Sequence, residues 1–279
     1  MKILVPGKTF LVGEYAVLLG SAALGLATKP CFEIDFGAKG FTPHPESPAG
    51  LYLKKHSLNL SCSLTDPGPG GFGRSTAEYL AAIAGRGPEK FRNILVEYKS
   101  LCNGSGIDLA FQYFGNLCLA DPSIQFYQTF SWHFESLDFL IVSTGVKVST
   151  HEHLATLDHK KLSGLPALAN KITQVYAENK ESEFLQLMTT WTEMLKGLGL
   201  THQNSLELSS IITSFNEVKL VKPCGALGAD VLLVFFERQN RNSVSQFLTD
   251  KKIKIQAGSA DLCNGAEAQL QTFWSQNVG

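Results

Sequence analysis

Apolar positions along the 279-residue chain change period several times, and each change marks an element. Residues 2–5 and 10–12 are short apolar runs separated by Pro6, Gly7 and Lys8. That pattern predicts two strands joined by a turn, with Lys8 at a strand end. Residues 15–19 and 22–26 continue with small and apolar side chains, and residues 31–36 alternate as a half-buried strand does. Gly, Pro and His recur over 37–50, which reads as a loop, and 51–64 shows only scattered alternation. The run DPGPGGFG at 66–73 suits neither a helix nor a strand interior. Immediately beyond it, Ala77, Leu80, Ala81 and Ala84 share one face of a helix predicted over 75–84. A second helix is predicted over 91–101. The glycine-rich stretch 103–106 ends it, and Asp108 opens another apolar segment.

In the second half, 139–142 is a buried-strand signal, and helices are predicted over 165–178, 183–198 and 205–215. Pro166 falls in the first turn of the earliest, where its missing N–H costs nothing. A second glycine-containing loop over 222–229 feeds a strand at 231–236. A helix closes at 246–250, and 252–256 alternates as a late strand. There is no internal repeat. The fold class is α+β, in two domains, 1–145 and 146–279.

Composition narrows the possible functions. With 24 Lys+Arg against 25 Asp+Glu and 44% hydrophobic residues, the chain can bury a sizeable core and lacks the basic surplus of a general nucleic-acid binder. Small anionic ligands remain open to it, because a few placed lysines hold those locally. Cys31, Cys62, Cys102, Cys118, Cys224 and Cys263 include no CxxC pair and no zinc spacing, and read as reduced cysteines of a cytoplasmic protein. His151 and His153 have no Cys or carboxylate cluster to complete a metal site. The apolar run 16–27 is too short to cross a bilayer, and Pro6, Gly7, Lys8 and Glu14 interrupt any secretory signal.

Three loops carry candidate chemistry. Gly70, Gly71, Phe72, Gly73, Arg74, Ser75 and Thr76 precede a helix, so glycines allow close backbone approach and the free N–H groups at the helix start suit a phosphate. Ser75 or Thr76 could also reach Mg²⁺. The plainer reading is an ordinary loop with Ser75 as N-cap. The GK[ST] ending of a Walker sequence is absent. Lys8 could stabilise a transferring phosphoryl group, or simply be a solvated turn lysine. Asp108 could accept a proton from a substrate hydroxyl, or cap its helix. Glu97, eleven positions earlier, lies at the edge of a helix's apolar face, as either a metal ligand or an exposed glutamate would.

At these residues the sequence resembles the GHMP kinases, the family of galactokinase, homoserine, mevalonate and phosphomevalonate kinases. PGKTFLVGEYAVLLGSAALGLA at 6–27 resembles the first family motif in its mevalonate-pathway form, GGFGRSTA at 70–77 the second, and KPCGALGADVLLV at 222–234 the third. GSGIDLA at 104–110 is similar to the segment carrying the catalytic aspartate, and TGVKVST at 144–150 to a substrate-side segment. The matches run in the family's order over most of the chain.

The resemblance implies an N-terminal S5-like domain and a C-terminal ferredoxin-like domain, with ATP between them. It implies Asp108 as catalytic base and Lys8 as its charge-stabilising partner. Gly70, Gly71, Gly73, Arg74, Ser75 and Thr76 would hold the nucleotide, with Ser75 and Glu97 on Mg²⁺. Glu14, Tyr15, Ser105, Thr150, Gly225 and Ala226 would border the acceptor. The implied activity is ATP-dependent phosphorylation of phosphomevalonate, with mevalonate kinase or a non-catalytic ligand-binding protein as alternatives. The expected partners are ATP and a small anionic substrate, with no nucleic acid or membrane, in a monomer or homodimer.

Three residues depart from the family pattern. Arg74 replaces a serine, and could bind phosphate or crowd the nucleotide. Leu227 and Ala229 replace glycines, so a positive φ at Leu227 would be strained.

Overall fold

The fold is that of a computed structural model, which describes residues 1–67, 72–102, 104–121, 123–146 and 157–277. Two antiparallel sheets organise it. The first contains β1 (Lys2–Val12), β2 (Ala23–Asp35), β3 (Ser63–Thr65), β4 (Leu117–Asp121) and β5 (Phe126–Phe130), in the order β1-β2-β4-β5 with β3 also pairing with β2. It carries the helices α1 (Pro48–His56), α2 (Arg74–Ala84), α3 (Phe91–Leu101) and α4 (Ile107–Phe114). The second contains β6 (Leu137–Ser143), β7 (Val218–Cys224), β8 (Val231–Glu237) and β9 (Ile255–Gly258), in the order β7-β8-β6-β9. Its helices are α5 (Leu165–Ala177), α6 (Glu181–Gly197), α7 (Gln203–Thr213) and α8 (Arg241–Asp250). Numbered within this half, the strand order is 2-3-1-4, the ferredoxin-like arrangement expected from the sequence.

Several local expectations are corrected. Residues 2–12 form one strand rather than two strands and a turn. Between Pro6 and Gly7 the register against β2 shifts from Pro6↔Cys31 to Gly7↔Thr28, so the extra residues, Lys29 and Pro30, lie in β2 while β1 continues unbroken. Lys8 therefore lies inside β1, paired with Ala27, instead of in a turn. The stretch 51–64, read as scattered alternation, begins inside α1. Ser47 caps that helix by accepting from the Gly50 N–H at 3.1 Å, with Pro48 at its first turn. Lys222 to Cys224 complete β7 before the glycine loop starts, and the late strand begins at Ile255, after a turn at Lys252.

One apolar core runs through both halves. Ile3, Val5, Leu80 and Phe111 belong to the same packed cluster as Tyr176, Phe184, Trp191 and Phe235. A second cluster fills the opposite face of the second sheet, where Val221, Leu232 and Val234 meet Ile212, Val244 and Leu248. The chain also returns across the expected boundary at 145. The last helix, α9 (Glu267–Asn277), packs on β1 and α2. Its Gln269 brackets the backbone of Leu4, accepting from the N–H at 2.7 Å and donating to the carbonyl at 3.2 Å. Trp274 donates to the Ala84 carbonyl at 3.2 Å. Because β1 is an edge strand, this helix covers an edge that would otherwise be open to pairing. All six cysteines are free thiols, and no helix among the described residues is long and apolar enough to cross a membrane.

The contact that seats the site on this scaffold is made by a missing side chain. α4 lies across β1, β2 and β4, and at Gly25 of β2 a Cβ would stand only 2.1 Å from the Phe111 ring. Phe111 is fully buried and packs edge-on against Phe10 at 5.1 Å, so it has no free space to yield. Gly25→Ala is therefore expected to lower stability by about 1–3 kcal/mol, the usual cost of an overpacked core. Adding Phe111→Leu should restore part of that loss in chemical unfolding. An unchanged unfolding midpoint for Gly25→Ala would show that α4 is not seated as described.

Candidate active site

Two side chains from distant parts of the chain meet beside the register shift between β1 and β2. Lys8 Nζ lies 2.9 Å from Asp108 Oδ2. Lys8 is nearly buried and sits 5.2 Å over the Phe10 ring, while the Asp108 side chain remains 37% exposed. A lysine held between an aromatic face and a carboxylate has few alternative positions, which distinguishes it from a solvated turn lysine. Asp108 lies in the first turn of α4, where the helix dipole favours a negative charge. The N-cap is Gly106, at φ +76°, and no side chain caps the helix, so Asp108 is not spent on capping.

The start of α2 adjoins this pair. Its N-cap is Gly73 rather than Ser75, with φ +89° and no side-chain cap. A Cβ at Gly73 would stand 2.9 Å from Lys8 Cγ and 3.0 Å from Gln112 Nε2, so only glycine allows the loop to come this close. Ser75 is exposed at the helix start. Thr76 is buried, and its hydroxyl bonds the Gly73 carbonyl at 2.9 Å and Gln112 Oε1, so it turns away from any ligand beyond the helix end. Arg74 pairs with Glu78 at 2.9 Å and Asp66 at 3.2 Å. Both alternatives considered for its guanidinium, binding or crowding a phosphate, thus compete with two carboxylates. Gly70 and Gly71 lie outside the described residues, as do Thr150, His151 and His153.

Glu97 has a different neighbourhood from the one expected of a metal ligand. Its carboxylate is engaged by His56, by Lys55 at 3.0 Å and by Arg86 at 3.2 Å. Burial alone would raise its pKa, but the hydrogen bonds from His56 and Lys55 outweigh that and hold it below the usual carboxylate value. Three basic partners already neutralise this carboxylate, and among the described residues no group of three His, Cys, Asp or Glu could hold a metal ion. The arrangement therefore does not fit Mg²⁺ at Glu97, and no step below is routed through the metal.

A second constellation joins the two sheets. Lys222, fully buried at the end of β7, bonds the Glu14 carboxylate and donates to the Phe10 carbonyl at 3.3 Å. Burial by itself would lower the Lys222 pKa. The neighbouring Cys224 sulfur and Glu14 carboxylate outweigh it and keep the pKa above its usual value. Burial in turn pushes the Cys224 thiol up to about 11. Tyr15 takes the unusual φ of +66°, and its hydroxyl accepts the Leu227 N–H at 2.9 Å. Leu227 has φ +51° and ψ +28°, the left-handed conformation in which it carries a strain that glycine would not. Ala229 is in the right-handed helical region and carries no such strain.

Gly225 is required where it stands, because a Cβ there would lie 2.1 Å from Asp230 Oδ2, and Ala226 is buried beside it. Ser105 turns its hydroxyl to the Ile107 N–H at 3.4 Å. Glu14, Tyr15, Gly225 and Ala226, read from the resemblance as acceptor neighbours, thus form a packed joint between the first and third motifs.

The residue that sequence reasoning missed is Gln112. It lies in the apolar run IDLAFQYF and is fully buried, yet bonds three segments. The available signal was one amide within an otherwise apolar helix, a position where a polar group must find partners.

The chain has the two-domain α+β fold of the GHMP kinases. Among solved structures, it is similar to Streptococcus pneumoniae phosphomevalonate kinase in complex with phosphomevalonate and AMPPNP, at TM-score 0.71 and 16% identity over 92% of this chain and 99% of that one. It is similar to Methanococcus jannaschii mevalonate kinase at TM-score 0.67 and 16% identity, over 95% and 98%. Lactococcus lactis galactokinase complexed with galactose matches at TM-score 0.72 and 10% identity, over 95% and 94%. No family model and no curated protein matches the chain.

The Glu14–Lys222 pair yields a direct test. Glu14→Leu leaves a buried lysine uncompensated and should cost about 3–5 kcal/mol in unfolding free energy. Pairing it with Lys222→Met should recover most of that loss, as judged by the coupling in a double-mutant cycle. Strictly additive losses would mean the two groups do not interact.

Proposed function

We propose that the chain is an ATP-dependent small-molecule kinase of the GHMP type, with phosphomevalonate as acceptor. The observation that carries this reading is the Lys8–Asp108 pair, 2.9 Å apart and set against the glycine-capped start of α2. The uncapped N–H groups of that helix, together with its dipole, suit the phosphates of ATP. In the reaction an acceptor oxygen attacks the γ-phosphorus, the bond to the β-phosphate oxygen breaks, and ADP leaves. Asp108 orients the acceptor and, where this is a hydroxyl, takes its proton. Lys8 offsets the charge of Asp108 and of the transferring group. Positioning and electrostatics supply most of the acceleration in phosphoryl transfer, and a fixed ion pair at the joint of three segments provides both.

Mg²⁺, entering as Mg·ATP, would supply charge neutralisation on the phosphates. Ser75, exposed at the start of α2, is a hydroxyl available to it; Glu97 would first have to leave its three basic partners.

For phosphomevalonate over mevalonate, support comes from the sequence GEYAVL around Tyr15, from Asp230 in the third motif, and from the likeness to a phosphomevalonate kinase over nearly its whole length. A non-catalytic ligand-binding role is the second reading, favoured by the basic cluster around Glu97 and the strained Leu227.

An ADP-release assay across mevalonate, phosphomevalonate, homoserine and simple sugars decides among these readings, with phosphomevalonate expected to give the highest kcat/KM. Asp108→Asn should then lower kcat by about 10²–10³-fold. Turnover within a few-fold of the parent would remove Asp108 from the mechanism. Absence of both ADP release and a thermal shift with Mg·ATP would leave only the non-catalytic reading.

A further inference from the structure

We infer that Gln112 is a positioning residue of the active site, whose side-chain amide fixes Lys8 against Asp108 and holds the start of α2 beside them. The inference rests on the kinase reading for its catalytic consequence, but its geometry is independent of it. The amide is fully buried, and every bond it makes goes to one of the three segments that form the site. Its Nε2 donates to the Pro6 carbonyl at 2.8 Å and to the Phe72 carbonyl at 3.3 Å. Its Oε1 accepts from the Thr76 hydroxyl. The opposite amide orientation would set the oxygen against two carbonyl oxygens, so the network allows one arrangement only.

Each partner is adjacent to a residue with a role in the site. Pro6 lies in β1 at the register shift against β2, two residues before Lys8. The Phe72 carbonyl also accepts the Lys8 N–H at 3.0 Å, so one oxygen joins the strand, the loop and the amide. Thr76 lies in the first turn of α2, next to Ser75. Gln112 itself is four residues beyond Asp108 in α4, and therefore on the same face about one turn away. The amide thus anchors the face of α4 that carries Asp108 to the strand that carries Lys8.

An apolar side chain of the same length would fill the space and leave the Pro6 carbonyl without this donor. β1 and α4 would then be free to shift relative to each other. A displacement of about 1 Å at a reacting centre costs on the order of 10²-fold in rate.

Two variants test this. Gln112→Met keeps the volume and removes every hydrogen bond. Gln112→Glu keeps the acceptor and has a donor only when protonated. The first readout is the rate at which an amine-acylating reagent labels Lys8, followed by mass spectrometry and normalised to exposed lysines. For Gln112→Met, several-fold faster labelling of Lys8 is expected. The second is kinetic, read well below the melting temperature. In Gln112→Met, kcat should fall by about 10–100-fold, with the acceptor KM nearly unchanged. In Gln112→Glu, activity relative to the parent should rise as pH falls and the carboxyl group regains a proton to donate.

An unchanged Lys8 labelling rate in Gln112→Met overturns the inference whether or not the chain proves to be a kinase. If the parent protein releases no ADP with any acceptor, the kinase reading fails and the labelling result still decides the role of Gln112. Should Gln112→Met not fold, the pH profile of Gln112→Glu decides, and a profile parallel to the parent's overturns the inference.

Discussion

The salt bridge between Glu14 and Lys222 sets the relation between the two halves of the molecule. Lys222 is entirely buried, so its charge has no solvent to turn to, and its ammonium must meet partners from the other sheet: the Glu14 carboxylate and the Phe10 carbonyl. Pairing of this kind contributes little net stability compared with apolar packing, but a mispaired arrangement would be costly, which makes it a strong selector of one relative position. The second carboxylate oxygen of Glu14 is also buried and has no hydrogen-bond partner among the described residues. Around this point Tyr15 and Leu227 each take a positive φ, Leu227 in the left-handed region and Tyr15 outside it at ψ −41°, and they meet through one hydrogen bond. Strain held by two neighbouring residues across a joint persists only where the surrounding packing over-determines it.

That joint and the candidate active site share one strand. β1 carries Lys8 just past its register shift against β2, Phe10 beneath both constellations, and ends at Val12, two residues before Glu14. The Phe10 ring lies beneath the Lys8 ammonium, and its carbonyl takes a bond from Lys222. The inter-sheet pair and the Lys8–Asp108 pair therefore share Phe10 of β1 as a common neighbour. The Gln112 amide ties the same strand to α2 and α4 from the other side. The candidate site is thus built on a strand fixed at two points, and the position of the Lys8–Asp108 pair follows from how β1 is held.

The same architecture accommodates different chemistry in the proteins it resembles. The similar solved structures include phosphomevalonate, mevalonate and galactose kinases at 10–16% identity, so the scaffold and the acceptor are separable. Here the scaffold is combined with two local departures. Arg74 is drawn into a pair of carboxylates at the start of α2, and Glu97 is enclosed by Lys55, His56 and Arg86. Each basic group in these clusters has a carboxylate partner, Arg74 two of them, while Lys55, His56 and Arg86 share the one carboxylate of Glu97.

The sequence alone determined the α+β class and the order of most elements, and its family resemblance implied the partnership of Lys8 and Asp108. Helices at 91–101 and 165–177 were legible because their apolar period and their Gly and Pro boundaries are local properties. That Lys8 and Asp108 belong together was implied by the family resemblance of two short glycine-containing motifs, PGK and GSGID, and the two side chains do pair. The left-handed Leu227 followed from a glycine position occupied by leucine.

What the sequence did not contain was distance. That residues 2–12 form one strand depends on pairing with β2, and that α9 returns to cover β1 depends on an edge existing only in the folded sheet. Glu97 read equally well as a metal ligand and as an exposed glutamate, because the basic side chains around it come from α1 and from the turn after α2, which only the fold brings to it. Gln112 looked like one polar residue in an apolar helix. Its meaning lies in carbonyl groups 106 and 40 residues distant, and only tertiary structure brings a buried amide and its partners together.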